Sequence, residues 1–174
     1  MLGGKTACLH EGRVEQFSPT LSLYRDPDTL TAARLFSDPP LNSVKIERDG
    51  AALRFAATGE AIEAGAALAL AAALSQQGDA ARTSTLAVRG HHLRLSSAQT
   101  SETAIAVRGR VDVTEITGSE TFVHFDFLGE PWVALLEGIH SFANGAEIEF
   151  SVDARDCLLF SECGARLRPP AGGC

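Results

Sequence analysis

The sequence predicts a mainly β protein: an OB-fold-like Greek-key barrel, or barrels, with a short helical N-terminal segment and one inserted helix. Three observations carry that expectation. From Asn42 onward, apolar and polar residues alternate in short runs, the two-residue period of half-buried strands. Turn signals separate those runs, at Asp49-Gly50, Gly118-Ser119, Gly129-Glu130-Pro131 and Asn144-Gly145, as in a small antiparallel barrel. The one longer helical run is AGAALALAAALSQQGD, with Gly78 placed to end it; its all-round apolarity suits a helix that plugs a barrel or covers a sheet.

In chain order, TACLHEG and RVEQF are two short β-capable runs about Gly12, a hairpin. Ser18 before Pro19 reads as an N-cap with proline at the first helical position. That helix presents Leu21, Leu23 and Tyr24 and stops at Asp26 before Pro27. Asp28 then caps a second helix, TLTAARLF, whose Leu30, Ala33 and Phe36 share a face, and Ser37-Asp38-Pro39-Pro40 ends it. Such a segment is too small to bury a core alone and must pack on something else. SVKIER and ALRFAAT follow as a hairpin about Asp49-Gly50, and TLAVRG and LRLSS flank His91-His92. After the polar stretch SAQTSET come two long strands, AIAVRGRVDVTEITG and ETFVHFDFLG, and three shorter ones, PWVALLE, AEIEFSV and CLLFSE.

Size and charge bound the function. A chain of 174 residues with 45% hydrophobic and 21% charged residues supports one domain or a tightly joined pair. A formal charge of −7 and a pI near 5.2 argue against nucleic acid or anionic membrane as partner, since both attract a basic field. No apolar run approaches the roughly 18 to 20 residues of a membrane span, and MLGGKTACLHEGRVEQ lacks the parts of a signal peptide, so a cytoplasmic protein is expected. Cys8, Cys157, Cys163 and Cys174 are far apart and form no CxxC pair, which predicts free thiols.

Gly12 to Gln16, Pro19, Tyr24, Pro27, Pro40, Leu41 and Asn42 occur in the order in which the nucleotide-binding domain ends in ATP-binding subunits of bacterial ABC importers of the carbohydrate and glycerol-phosphate type. Asp38 stands where that family usually has glycine. LAVRGHHLRLS resembles the family's Gly-x-Arg-Pro-Glu-His-Leu stretch through Arg89, His92 and Leu93, although Ala87, Gly90 and His91 depart from it. VTEITGSETFVHFDF resembles the core of the family's transport-associated OB (TOBE) domain through Glu115, Gly118, Glu120 and Thr121. The ending resembles the family's last strand through Phe160, Gly164, Arg166 and Leu167, with Ser161 replacing aspartate. The resemblance implies that residues 1–42 are the tail of a nucleotide-binding domain and residues 43–170 a regulatory OB-like domain. It also implies a homodimer, membrane subunits reached through a motor domain upstream, and inhibition by a cytoplasmic protein or small solute. The assembled subunit would lie at the inner face of the membrane.

No GxxxxGK[ST] run occurs in the sequence, and a nucleotide-hydrolysing subunit needs one, whose backbone N–H groups cradle the phosphates. Gly3-Gly4-Lys5-Thr6 has only the last letters of that motif. The resemblance implies ATP and magnesium in the parent protein, and no cofactor, catalytic residue or metal is expected in this chain. The ligand- or partner-binding candidates are Arg89, His92, Glu115, Gly118, Glu120 and Thr121. His91-His92 lack the Cys or carboxylate companions of a zinc site, and adjacent strand histidines point to opposite faces. Isolated His124 and His140 read as ordinary strand or turn residues, and Ser119 lacks a nucleophile elbow. Trp132 and Phe122, Phe125, Phe127, Phe142, Phe150 and Phe160 read as core rather than a stacking platform. Two other readings are a stand-alone small-molecule-binding module on the same barrel and a small hydrolase using Cys157 or Cys163.

Overall fold

A computed structural model describes residues 4–50, 52–75, 82–96 and 101–169. Strands β1 (Lys5–His10) and β2 (Arg13–Pro19) form the expected hairpin, and helices α1 (Thr20–Arg25) and α2 (Leu30–Leu35) follow. Then come β3 (Asn42–Asp49), β4 (Ala52–Phe55), α3 (Ala64–Leu74), β5 (Thr83–Val88), β6 (Arg94–Leu95), β7 (Ala104–Ile116), β8 (Glu120–Phe127), β9 (Glu130–Glu137), β10 (Glu147–Asp153), β11 (Leu158–Ser161) and β12 (Arg166–Leu167). Gly78 lies outside the described residues, as do Cys174 and most of the SAQTSET stretch.

The architecture is mainly β and OB-fold-like. One sheet runs β6-β10-β7-β8-β9 and the other β12-β11-β5-β3-β4. In the first, β7, β8 and β9 form a meander and β10 returns beside β7, which is Greek-key order. β7 is long enough to serve this sheet because it bends: its register on β8 shifts between Val111 and Val113, a bulge that adds twist. Gly109 permits the close crossing, since a Cβ there would lie 2.3 Å from the Asp126 carbonyl oxygen and 2.6 Å from the Phe125 ring.

A single large core joins the two sheets to α3, through residues such as Ile46, Leu70, Leu86, Val107, Phe125 and Phe150. Phe125 and Phe127 pack against Trp132 with ring centroids 6.3 and 4.7 Å apart. Phe160 is buried in a second cluster, and Phe122 and Phe142 are half-buried, so these aromatics serve packing. The sheets are also joined by polar groups. Asn42 is buried and its side-chain amide copies a strand: Nδ2 donates to the Val133 carbonyl at 2.9 Å and Oδ1 accepts from the Val133 N–H at 2.7 Å. An amide group satisfying both backbone partners in the interior keeps two backbone groups from being orphaned.

The N-terminal segment departs from expectation at both helix starts. Ser18 does not cap α1, because the hairpin register pairs it with Thr6 and carries β2 through Pro19. Asp28 does not cap α2: its N–H donates to Gln16 Oε1 at 2.9 Å, and Thr29 is the cap, its Oγ1 accepting from the Ala32 N–H at 3.0 Å. The stop of α1 at Asp26 is as expected. Lys5 and Thr6 lie in β1, with Lys5 over the Phe17 ring, and not in a loop before a helix.

Candidate functional site

The polar residues singled out in the sequence fall in two places. The first is the seam where α1 and α2 meet the β5–β11 side of the second sheet. Gly90 makes the approach possible: a Cβ there would lie 2.8 Å from both Pro39 Cγ and the Val133 carbonyl oxygen. Arg89, just before it, is only 6% exposed. Its Nη1 donates to the Phe36 carbonyl at 2.9 Å and Ser37 Oγ at 2.6 Å, and Nη2 donates to the Tyr24 carbonyl. The guanidinium also stacks on the Tyr24 ring at 3.9 Å. One side chain thereby satisfies carbonyls at the C-terminal ends of both helices, where free C=O groups and the helix dipole favour a cation.

His91 and His92 sit on a single 3-10 turn, Gly90–His92, and not on a strand. Their rings meet edge to face at 4.3 Å instead of pointing to opposite sides. The reason is local: Leu93 N–H closes the turn onto the Gly90 carbonyl. His92 Nδ1 donates to the Asp156 carbonyl at 3.2 Å. Burial, then neighbouring His92, Arg89 and Arg94, hold His91 below the ordinary histidine pKa.

Beside these residues lies a cavity of about 390 Å³ lined by Tyr24, Arg25, Arg89, His91, His92, Arg155, Asp156, Cys157, Leu158 and Arg166. Arg155 is held by Asp153, with Nε 2.9 Å from Oδ1 and Nη2 2.8 Å from Oδ2. Arg166 donates from Nη1 to the Leu159 and Leu167 carbonyls at 3.0 and 2.6 Å. Arg25, Arg155 and Arg166 were not among the expected site residues. They come from α1, the turn after β10, and β12, so no local spacing marks them.

The second place is the tip of the β7–β8 hairpin. Gly118 has φ +92°, the left-handed region the turn requires. Glu115 is exposed and lies 3.3 Å from His124 Nε2. Glu120 opens β8 opposite Glu137. Thr121 is fully buried: its Oγ1 donates to the Gly138 carbonyl at 2.8 Å and accepts from the His140 N–H at 3.0 Å. Thr121 therefore fastens the loop after β9, while at this end Glu115, Ile116, Thr117 and Ser119 are exposed and Glu120 is half-buried. Arg89 and His92 lie after a strand of the other sheet, so the six candidates do not form one site.

Among the described residues, no group of three or more His, Cys, Asp or Glu is placed to hold a metal. Cys8, Cys157 and Cys163 are free thiols. Cys157 is buried and burial pushes its thiol pKa up, whereas Cys163 is exposed and lowered by the Ser161 hydroxyl 3.1 Å away. Among the described residues, no helix is long and apolar enough to cross a membrane.

Residues 86–160 match the family model described as the TOBE domain. Over these residues the chain is similar to that domain. It is similar over 95% of its length, at 28% identity, to "sn-glycerol-3-phosphate import ATP-binding protein UgpC 3" of Agrobacterium fabrum. The UgpC protein of Rhizobium meliloti is 26% identical over the same share. The chain spans 43% of each of these relatives, and the matched part is their C-terminal portion. Among solved structures, the cytoplasmic molybdate-binding protein ModG, with molybdate bound, aligns at TM-score 0.49 and 16% identity, over 68% of this chain and 94% of its own. The TOBE match contains the Arg89–His92 turn and the β7–β8 tip but neither α1 nor β12.

Proposed function

We propose that this chain is the regulatory and dimerisation part of the ATP-binding subunit of an ABC importer for a sugar or related solute. Residues 1–42 are the tail of the motor domain and residues 43–170 the regulatory domain. The observation that carries the reading is the alignment of 95% of the chain, N-terminal segment included, with import ATP-binding proteins. The surface of that segment supports it. Leu9, Val14, Phe17 and Leu35 are each more than half exposed, which is costly for a hairpin and two short helices facing water and suits a surface that packs on a motor domain.

On this reading the chain hydrolyses nothing. ATP and magnesium belong to the motor domain, which also contacts the membrane subunits at the cytoplasmic face. The exposed β7–β8 tip, with Glu115, Gly118 and Glu120, is the surface offered to a partner, and Arg89 and Thr121 hold the two ends in shape. Signals act by shifting the population of dimer arrangements. The test is sedimentation velocity of the purified chain across a concentration series. A reversible, concentration-dependent dimer is expected, and a strict monomer would remove the dimerisation role.

A further inference from the structure

We propose that the arginine-lined cavity at the seam is a binding site for a small molecule with a phosphate-type oxyanion head. Four guanidinium groups, those of Arg25, Arg89, Arg155 and Arg166, border one cavity of about 390 Å³. Chemistry assigns them different parts. Arg89 is spent on helix carbonyls and forms the back wall. Arg155 keeps Asp153 on two of its nitrogens, while its side chain is 73% exposed. Arg166 is 11% exposed, and its buried Nε has no hydrogen-bond partner among the described residues; Asp26 Oδ1 stands 3.7 Å away, beyond hydrogen-bond reach. Arg25, at the end of α1, makes no ion pair among the described residues.

Charge is not balanced by the protein. The carboxylates near these guanidiniums are Asp156, which lines the cavity and opposes an anion, Asp153 on Arg155, and Asp26, which Arg168 also engages with Nε 2.8 Å from Oδ2. Arg168 brings a further positive charge, offset by Asp28 at 2.7 Å. The surplus falls on Arg25 and Arg89, neither of which makes an ion pair among the described residues. A buried N–H without a partner costs free energy comparable to a lost hydrogen bond, and planar guanidinium groups match oxyanions in geometry and charge. The cavity exceeds a bare oxyanion in size, and Tyr24 and Leu158 give it apolar wall. A small phosphomonoester fits better than the inorganic ion: head on Arg25, Arg155 and Arg166, body on the ring.

The site spans α1, the turn after β10, and β12, so an occupant would cross-link the N-terminal segment to the second sheet. Binding does not depend on the transporter reading; only a consequence for hydrolysis upstream does. The experiment is isothermal titration of the whole chain with inorganic phosphate, ribose 5-phosphate and ribose. Saturable binding of either phosphate but not ribose is expected, and the tighter of the two distinguishes a free oxyanion from a phosphomonoester. Arg25→Gln and Arg155→Gln change exposed side chains, and each should weaken binding about tenfold, the effect of one charge-assisted contact. Arg108→Gln, remote on the β7–β10 face, should leave it unchanged. Absence of saturation with both phosphates, or equal weakening in all three variants, would overturn the site, whatever the oligomeric state proves to be.

Discussion

The seam under α1 and α2 and the tip of the β7–β8 hairpin both carry polar residues that stand out in the sequence, but their side chains have opposite fates. At the seam, Arg89 is desolvated and its side-chain hydrogen bonds go to the protein's own carbonyls and hydroxyl. Burial lowers its pKa, an effect only partly offset by Tyr24. At the tip, Glu115 faces solvent beside a half-exposed histidine, where an ion pair contributes little. Polar residue type therefore marks a site only when its partners are known. The same contrast runs within the tip itself, where Thr121 is structural and Glu120, one residue earlier, reaches the surface.

Four substitutions can break or sharpen this contrast. The largest effect belongs to Arg89→Ala, which orphans the carbonyls of Tyr24 and Phe36 and empties a stacked position. It should cost about 3 kcal/mol in urea unfolding and speed hydrogen exchange across residues 24–36. A loss below about 0.5 kcal/mol would mean the seam is not held there. Thr121→Val keeps the shape but removes both hydroxyl contacts, for an expected loss of about 1.5 kcal/mol. Thermal melts would contradict this role by showing no change.

Asp153 gives a smaller and pH-dependent effect. The Arg155 guanidinium, helped by the Arg155 N–H and the Thr103 hydroxyl, holds its carboxyl well below the usual range. It also caps the turn after β10, accepting from the Arg155 N–H at 2.9 Å. A depressed folded pKa stabilises above the unfolded value of about 3.9 and loses that contribution as pH falls through it toward the folded value. Asp153→Asn should therefore cost about 1 kcal/mol at pH 7, and the gap between variant and parent should close below about pH 4. A gap independent of pH would assign the effect to packing. Least of all, Glu115→Gln should leave the melting midpoint where it is, with or without added salt.

Much of the fold was legible because strands in this chain are half-buried and their periodicity survives in the letters. The β7–β8 hairpin, the Asn144-Gly145 turn and the β1–β2 hairpin all fall where alternation and glycine placed them. The helix starts were not legible, because Ser18 and Asp28 compete with partners distant in sequence: Thr6 across the hairpin and Gln16 across the segment. His91-His92 read as strand residues since nothing local shows that Gly90 must pass within contact of Pro39 and β9. Asn42 was visible as part of a familiar ending, yet only the fold shows it stapling β3 to β9. Of the arginines of the seam cavity, Arg89 and Arg166 stood out in the sequence, but nothing marked Arg25 or Arg155, which about 130 residues of chain separate.

The regulatory reading rests on two copies of this chain meeting, and sedimentation equilibrium of the isolated chain, over a hundredfold range of concentration, tests it most directly. The account predicts a mass that rises reversibly from one chain toward two. A single-chain mass at every concentration would contradict it, and would leave this chain as a binding module without a dimerising role.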